Sequence, residues 1–146
     1  MRPNVTEQLE GVCRILETSI APDLKAGYTL ETLRSLIANV RMLGRAWHQL
    51  LPFLHWDNAA MLALLGDARG AADETLRAAI DEALAPVPAD RADAVAAEAR
   101  NDALRGLLVA SLNCAPHLHA RITAHLSERS RRYPLRLTGA VPKHKS

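Results

Sequence analysis

The chain has 146 residues, of which 49% are hydrophobic and only 3% aromatic, and its formal net charge is +2. This length fits one domain of ordinary size, and the hydrophobic fraction excludes an intrinsically disordered chain. Because aromatic rings are so scarce, the core has to be aliphatic, built from leucine, isoleucine, valine and alanine.

The first predicted element is an amphipathic helix that begins after Asn4 and ends at Pro22. Apolar residues recur every three or four positions along it, which is the period of one helix face. They are Val5, Leu9, Val12, Leu16 and Ile20. Asn4 followed by Glu7 has the spacing of a capping box, in which each side chain accepts a hydrogen bond from the other residue's backbone N–H.

A second helix is predicted over roughly residues 30–51, with Thr29 as its N-cap. Pro52 is expected to interrupt this helix or to open the next one, because proline cannot donate the backbone hydrogen bond of a helix interior. Asp57 and Asn58 then have the side chains of an N-cap for a helix over 59–66.

Three more helices are predicted in the second half of the chain, over about 71–85, from Asp90 to about 113, and over about 116–130. Pro86 and Pro88 separate the first two of these. Residues 103–112 are apolar on nearly every side except Arg105, so we expect the long helix to lie at the centre of the fold.

The helical pattern stops at Arg131, and the remaining residues alternate between apolar and polar types. The predicted fold class is therefore all-α: a single bundle of five or six helices over residues 1–130, followed by an extended basic C-terminal arm over 131–146. Neither half of the chain has enough apolar residues to form a core alone.

The stretch 47–57 holds three of the five aromatic residues and two of the six histidines. Rigid rings beside imidazoles and a carboxylate can form a binding pocket, and a histidine near a carboxylate can transfer protons near neutral pH. The candidate pocket residues are Trp47, His48, Phe53, His55, Trp56 and Asp57. The alternative interpretation is structural: the rings fill a gap where two helices diverge, and Asp57 caps a helix.

Arginines form two further candidate sites, for an anion or for a protein partner. One group lies opposite the apolar face of the second helix, and the other is near the C-terminus. They are Arg34, Arg41 and Arg45, and Arg131, Arg132 and Arg136. Since Tyr133 is the only aromatic residue near the second group, base stacking has little support, and we do not expect nucleic-acid binding.

No catalytic, cofactor or metal motif is present. The chain lacks a nucleophile elbow, a phosphate-binding glycine loop and the paired Glu-x-x-His motifs of di-iron bundles. Cys114, His117 and His119 could supply metal ligands, but His117 and His119 would point about 200° apart on a helix. His125 is interpreted as a residue at the boundary of an apolar stripe. We therefore expect neither a metal nor a cofactor.

The expected location is the cytosol. The N-terminus is polar, unlike a secretory signal, and no apolar run approaches the length of about 20 residues that spans a bilayer. Cys13 and Cys114 are interpreted as reduced thiols rather than a disulfide.

Several short motifs resemble an uncharacterised bacterial family of short helical proteins. They are Arg2-Pro3, Asn39 to Arg45 (NVRMLGR), Leu64-Leu65-Gly66, Leu76 to Ile80 (LRAAI) and Arg132-Tyr133. Members of that family tend to be encoded beside phosphotransferase-like and acyl-CoA-dehydrogenase-like enzymes. The resemblance implies an accessory role and carries over no catalytic residue.

The charge distribution favours association of two copies. Residues 67–104 carry four basic and nine acidic groups, whereas residues 105–146 carry eight basic and one acidic group. Such opposite surfaces can meet in a symmetric dimer. The leading hypothesis is a non-enzymatic accessory protein that acts through helix faces and the C-terminal arm, as a homodimer or with a metabolic enzyme. Alternatives are a small-molecule binder or enzyme with its pocket at 47–57, and nucleic-acid binding by the basic end.

Overall fold

The computed structural model describes residues 4–86 and 92–135. Within these ranges the regular structure is entirely helical, with no β-strand, and this confirms the predicted all-α class. These ranges contain five α-helices, and short π and 3₁₀ turns lie at Leu16–Ile20, Ala21–Asp23, Arg69–Ala71 and Pro116–Leu118. The α-helices are α1 (Val5–Ile15), α2 (Tyr28–Ala68), α3 (Glu74–Leu84), α4 (Ala94–Ser111) and α5 (His119–Arg132).

Helix α1 begins as its sequence predicts. The side chain of Asn4 accepts from the Glu7 backbone N–H, and the side chain of Glu7 accepts from the Asn4 N–H, so the capping box is present. The chain remains helical as far as Asp23, but through a π turn over Leu16–Ile20 and a 3₁₀ turn over Ala21–Asp23 that contains Pro22.

Helix α2 differs most from expectation. It follows Gly27, whose φ of 144° is a conformation that residues with a Cβ rarely adopt. The helix then runs for 41 residues without ending at Pro52, so the predicted break there is wrong. The expected cap at Asp57 and Asn58 is also wrong, because both lie inside the helix and are buried. An interior proline costs about 3 kcal/mol, which packing of the flanking residues has to offset.

Helices α3 and α4 begin at acidic caps. The side chain of Asp73 accepts from Leu76 N at the start of α3, and Asp93 accepts from Ala96 N at the start of α4. Helix α4 thus begins later than the predicted start at Asp90, a residue that lies outside the described ranges. Arg131 and Arg132 belong to α5, so the prediction of an extended arm is wrong for these two residues.

Contacts divide the chain into two compact units. The N-terminal unit comprises residues 1–48 with 134–146, and the second unit comprises 49–133. In the N-terminal unit, α1 and the first half of α2 form an antiparallel hairpin: Thr6 contacts Gly44, and Cys13 contacts Ile37. The predicted division into a bundle over 1–130 and an arm over 131–146 stays a prediction, since 136–146 lie outside the described residues.

The second unit contains the larger core. One cluster joins residues of α2, α3, α4 and α5, including Leu65, Ile80, Leu104 and Ile122. Helix α4 buries only one face in it: Val95 and Val109, for example, are largely exposed. The prediction that neighbours surround its second half is therefore wrong.

Candidate functional site

A buried carboxylate lies at the centre of the second unit. Asp57 on α2 is completely inaccessible to solvent. Its Oδ2 accepts hydrogen bonds from Asn101 Nδ2 at 2.7 Å and from Arg129 Nε at 2.8 Å. His125 Nε2 lies 3.0 Å from Oδ1, within ion-pair distance but without the alignment of a hydrogen bond. The carboxylate thus connects α2 with α4 and α5.

Two buried amides extend this network. Asn101 Nδ2 also donates to Asn58 Oδ1 at 2.8 Å, and Asn58 Nδ2 donates to the carbonyl of Ala97 at 3.0 Å. Buried polar groups are costly unless they find partners, and here each amide has them. The network therefore fixes the register between α2 and α4.

Aromatic rings cover the network on the α5 side. The rings of Phe53 and Tyr133 pack edge to face at 5.3 Å between centroids, and Trp56 lies 5.5 Å from the His125 ring. The guanidinium of Arg129 lies over Phe53 at 5.6 Å, and that of Arg132 over Trp56 at 4.4 Å. These are cation–π distances, so the arginines pack against the rings as well as pairing with carboxylates.

This arrangement stabilises structure more readily than it supports catalysis. The Asp57 carboxylate is inaccessible, and the His125 side chain retains only 7% of its exposure. An acid or base has to reach the proton that it transfers, and no reacting molecule can contact the carboxylate here. His125 is therefore not the boundary residue that the sequence suggested, but a member of the buried network.

The six residues of the predicted pocket do not line one cavity. Trp47 and His48 lie in the N-terminal unit, where Trp47 Nε1 donates to Thr6 Oγ1 at 3.3 Å. In the second unit Phe53 is buried, Trp56 packs against His125, and Asp57 belongs to the network. His55 lies on the wall of a separate cleft.

That cleft has a volume of about 760 Å³ and is bounded by α2, α3 and α4. Its lining is mainly aliphatic, with polar or ionisable groups from each of the three helices or their caps. The α2 and α3 residues are His55, Asn58, Ala59, Leu62, Ala79, Glu82 and Ala83. Helix α4 and its cap contribute Asp93, Ala96, Ala97, Arg100, Ala103, Leu104 and Leu107.

Most of the candidate arginines pair with carboxylates of this chain. Arg34 pairs with Glu31, and Arg131 and Arg132 both pair with Glu128. Both arginines lower the pKa of Glu128 below its ordinary value, and the hydrogen bond from Arg132 has the largest effect. Arg136 lies outside the described residues.

Arg41 is the most strongly engaged of the group. Its guanidinium contacts Glu17 at 2.6 Å and Glu10 at 3.0 Å, and so joins α2 to α1 and the turn that follows it. The hydrogen bonds that Arg41 donates to Glu17 and Glu10 raise the pKa of Arg41. The bond to Glu10 also lowers the pKa of Glu10, with a smaller contribution from the charge of the exposed Arg45. The charge of Arg41 is therefore already neutralised within the hairpin.

The opposite side of the hairpin is apolar and exposed. Cys13 and Ile37 mark the line along which the two helices touch. Successive residues of a helix are about 100° apart around its axis, and on both helices the exposed apolar residues are rotated away from this line in the same direction. Because the helices are antiparallel, these residues lie on one side, which we call the hairpin apolar face. Its members are Val5, Val12 and Ile15 on α1 and Leu36, Leu43 and Trp47 on α2, each 41–58% exposed.

Metal-binding clusters and membrane-spanning helices are both absent from the described residues. No group of three or more histidine, cysteine, aspartate or glutamate side chains there is placed to hold a metal ion. None of the helices in 4–86 and 92–135 combines the length and apolar character that crossing a membrane requires. Cys13 and Cys114 are both free thiols.

Comparisons of this chain with protein-family models, with curated proteins and with solved structures found no match. The resemblance to a bacterial helical family therefore stays a prediction, and the functional argument depends on the geometry.

Proposed function

We propose that this chain is a non-enzymatic interaction protein that associates with a second copy of itself through the hairpin apolar face. The observation that carries the proposal is the exposure of six large apolar side chains on one side of a two-helix unit. Contiguous exposed apolar patches on small proteins are typical of interaction sites.

The spacing on α2 favours a helical partner. Leu36, Val40, Leu43 and Trp47 follow one another at intervals of four, three and four residues. This alternation places apolar side chains along one seam, as in helices that pack side by side at a shallow angle. A second hairpin would present the same seam and would complete a four-helix arrangement.

The absence of charge on the face favours a copy over an unrelated partner. The six residues that define the face are apolar, and their neighbours on this side, Gln8 and Val40, are uncharged. In a twofold contact each residue near the axis meets its own equivalent, so a charge there would face a like charge. A face without charges avoids this repulsion, whereas partners of different sequence commonly use complementary charges.

The area of the face is consistent with a weak dimer. The face extends over at most twelve helical residues, which span about 18 Å, and two helices are about 20 Å wide, so it would bury about 360 Å² per copy, or about 720 Å² in total. That is below the size of a standard interface, and we expect a transient dimer with a dissociation constant above the micromolar range.

The test is the mass of the full chain in solution, measured by light scattering over a range of concentrations. We expect a dimer for the natural sequence and about hundredfold weaker association for Leu43→Glu, because each dimer would bury two unpaired carboxylates. Ala38→Glu is the matched control: it adds the same charge at an exposed α2 position away from the face. Circular dichroism checks that both variants stay helical.

A natural chain that remains monomeric at high concentration, or a Leu43→Glu variant that dimerises normally, would overturn the proposal. A chain that ends at Leu135 tests the basic C-terminal segment separately. If removing residues 136–146 alone abolishes association, that segment rather than the face makes the contact. A role beside a metabolic enzyme, which the resemblance implies, remains a prediction for affinity capture.

A further inference from the structure

The cleft of the second unit has the dimensions of a small-molecule site. Its volume of about 760 Å³ lies within the range of about 300–1,000 Å³ that such sites occupy. Of the fourteen lining residues that belong to the described ranges, nine are alanine or leucine, and none is a phenylalanine, tyrosine or tryptophan. Such a lining offers dispersion contacts to a saturated chain and no large ring for a flat molecule to stack on.

Alanines keep the cleft open. Six of the nine aliphatic residues are alanine, at positions where a leucine would fill the space between α3 and α4. Ile80, about 100° around α3 from Ala79, is completely buried in the core, and Ala83 packs against the same core cluster. The side of α3 next to this filled face carries the small side chain of Ala79, which leaves space in the cleft.

One charged side chain in the lining distinguishes this cleft. Arg41, Arg100 and Arg129 are the half-buried arginines of the described ranges. Arg41 pairs with two glutamates and Arg129 with Asp57, whereas no carboxylate in residues 4–86 and 92–135 lies within ion-pair distance of Arg100. A half-buried guanidinium without an anion has lost part of its hydration and has gained no counter-charge in return.

Arg100 is nevertheless held in place. Its Nη2 donates to the carbonyl of Ala83 at 3.2 Å, near the end of α3. A guanidinium has five N–H donors in a planar arrangement that matches the two oxygens of a carboxylate. Within the described residues, the remaining donors of Arg100 have no carboxylate partner at the wall of the aliphatic cleft.

The other ionisable groups of the lining restrict the charge of a ligand. Glu82, Asp93 and His55 are all exposed to solvent, and Asp93 is already engaged as the cap of α4. Water screens the carboxylates of Glu82 and Asp93, so they do not cancel the charge of the more buried Arg100. They would, however, repel a dianion such as a phosphate monoester more strongly than a single carboxylate.

From these observations we infer that the cleft binds an aliphatic monocarboxylate, with its hydrocarbon chain along the alanine and leucine lining and its carboxylate on Arg100. This site is independent of the hairpin apolar face, since all of its residues belong to the second unit.

The test uses the full chain and decanoate below its micellar concentration, with binding measured by calorimetry. We expect saturable binding, and much weaker binding of decan-1-ol, which has the same chain and no charge. Arg100→Ala should weaken decanoate binding about tenfold or more, because it removes the charge-assisted hydrogen bonds. Arg77→Ala is the matched control: Arg77 also donates to a backbone carbonyl, that of Ala72, but does not line the cleft.

A second pair of variants tests the hydrocarbon part of the site. Ala79→Leu places a larger side chain in the cleft and should abolish binding while circular dichroism stays unchanged. Ala78→Leu makes the same change at an exposed position on α3 outside the lining and should bind normally. The inference is overturned if decanoate fails to bind, if decan-1-ol binds equally well, or if Arg100→Ala or Ala79→Leu leaves the affinity unchanged.

Discussion

The N-terminal hairpin and the second unit use similar residues to different effect. The hairpin's buried apolar residues are Cys13, Ile37 and Ala46, and it leaves most of its larger side chains exposed. The second unit buries a continuous cluster drawn from four helices. Two helices cannot cover their own apolar stripes, whereas four can enclose a core between them. The comparison teaches that amphipathic sequence alone does not decide whether an apolar stripe becomes core or contact surface.

Their polar contacts differ in the same way. In the hairpin, Arg41 pairs with Glu10 and Glu17 at the surface, where water and salt weaken the interaction. In the second unit, Asp57 pairs with Arg129, and the Asp57 side chain has no contact with water while Arg129 is half-buried. Breaking a buried pair by removing one partner is far more costly, because the other charge remains desolvated.

The largest expected effect follows from the buried network. Asp57→Ala should reduce the free energy of unfolding by about 3–5 kcal/mol, because Arg129 loses its carboxylate and Asn101 loses one of its two acceptors. Asp57→Asn keeps the size of the side chain and should cost less. Urea denaturation followed by circular dichroism measures both variants. A loss below about 1 kcal/mol for Asp57→Ala would show that the network contributes no more than a surface pair.

A smaller effect is expected in the hairpin. Arg41→Ala should destabilise the hairpin at neutral pH, because it removes the guanidinium through which α2 binds both Glu10 and Glu17. Arg34→Ala is the matched control, since Arg34 pairs only with Glu31 on its own helix. Thermal unfolding followed by Trp47 fluorescence, in a Trp56→Phe background, measures the difference.

Arg41→Ala should also change how the stability of the hairpin depends on pH. Arg41 holds the pKa of Glu10 below its ordinary value in the folded state. The stability that the ionised Glu10 contributes is therefore fully present above its ordinary pKa. It is lost as the pH falls through the pKa of the folded state. The natural hairpin should therefore lose stability between neutral pH and about pH 3, and Arg41→Ala should lose less over the same range. Parallel pH profiles for the two chains would contradict this.

The smallest expected effect concerns the two thiols. Burial raises the pKa of Cys13, so a smaller fraction is thiolate at a given pH and alkylation by iodoacetamide should be slow. Arg41→Ala should accelerate the labelling of Cys13 in the hairpin and leave that of Cys114, in the second unit, unchanged. Equal acceleration at both cysteines would mean that the two units open together. Mass spectrometry of the labelled chain distinguishes these outcomes.

Local signals in the sequence predicted local structure well. The Asn4 and Glu7 capping box forms as its spacing indicates, and the stripe through Val5 and Val12 belongs to a helix. These features depend on contacts within a few residues, which a single sequence records. The break predicted at Pro52 was wrong because α2 continues through the proline, as tertiary packing can override a local penalty.

The candidate site was predicted only in part. Asp57 was singled out from its neighbours, but as a pocket residue or a helix cap rather than as the centre of a buried network. Its partners Asn101 and Arg129 are 44 and 72 residues away, and no local pattern connects them. A signal was available: His125 and Arg129 are four residues apart, and so lie on one face of α5.

By itself, the sequence determined that the chain is helical, because periodicity and capping are properties of neighbouring residues. Only the tertiary structure decided which apolar stripes are covered, that Arg100 has no carboxylate partner among the described residues, and that Asp57 is buried. Those outcomes depend on which distant helices meet, and the free energy of burying a side chain is set by its neighbours in space rather than along the chain.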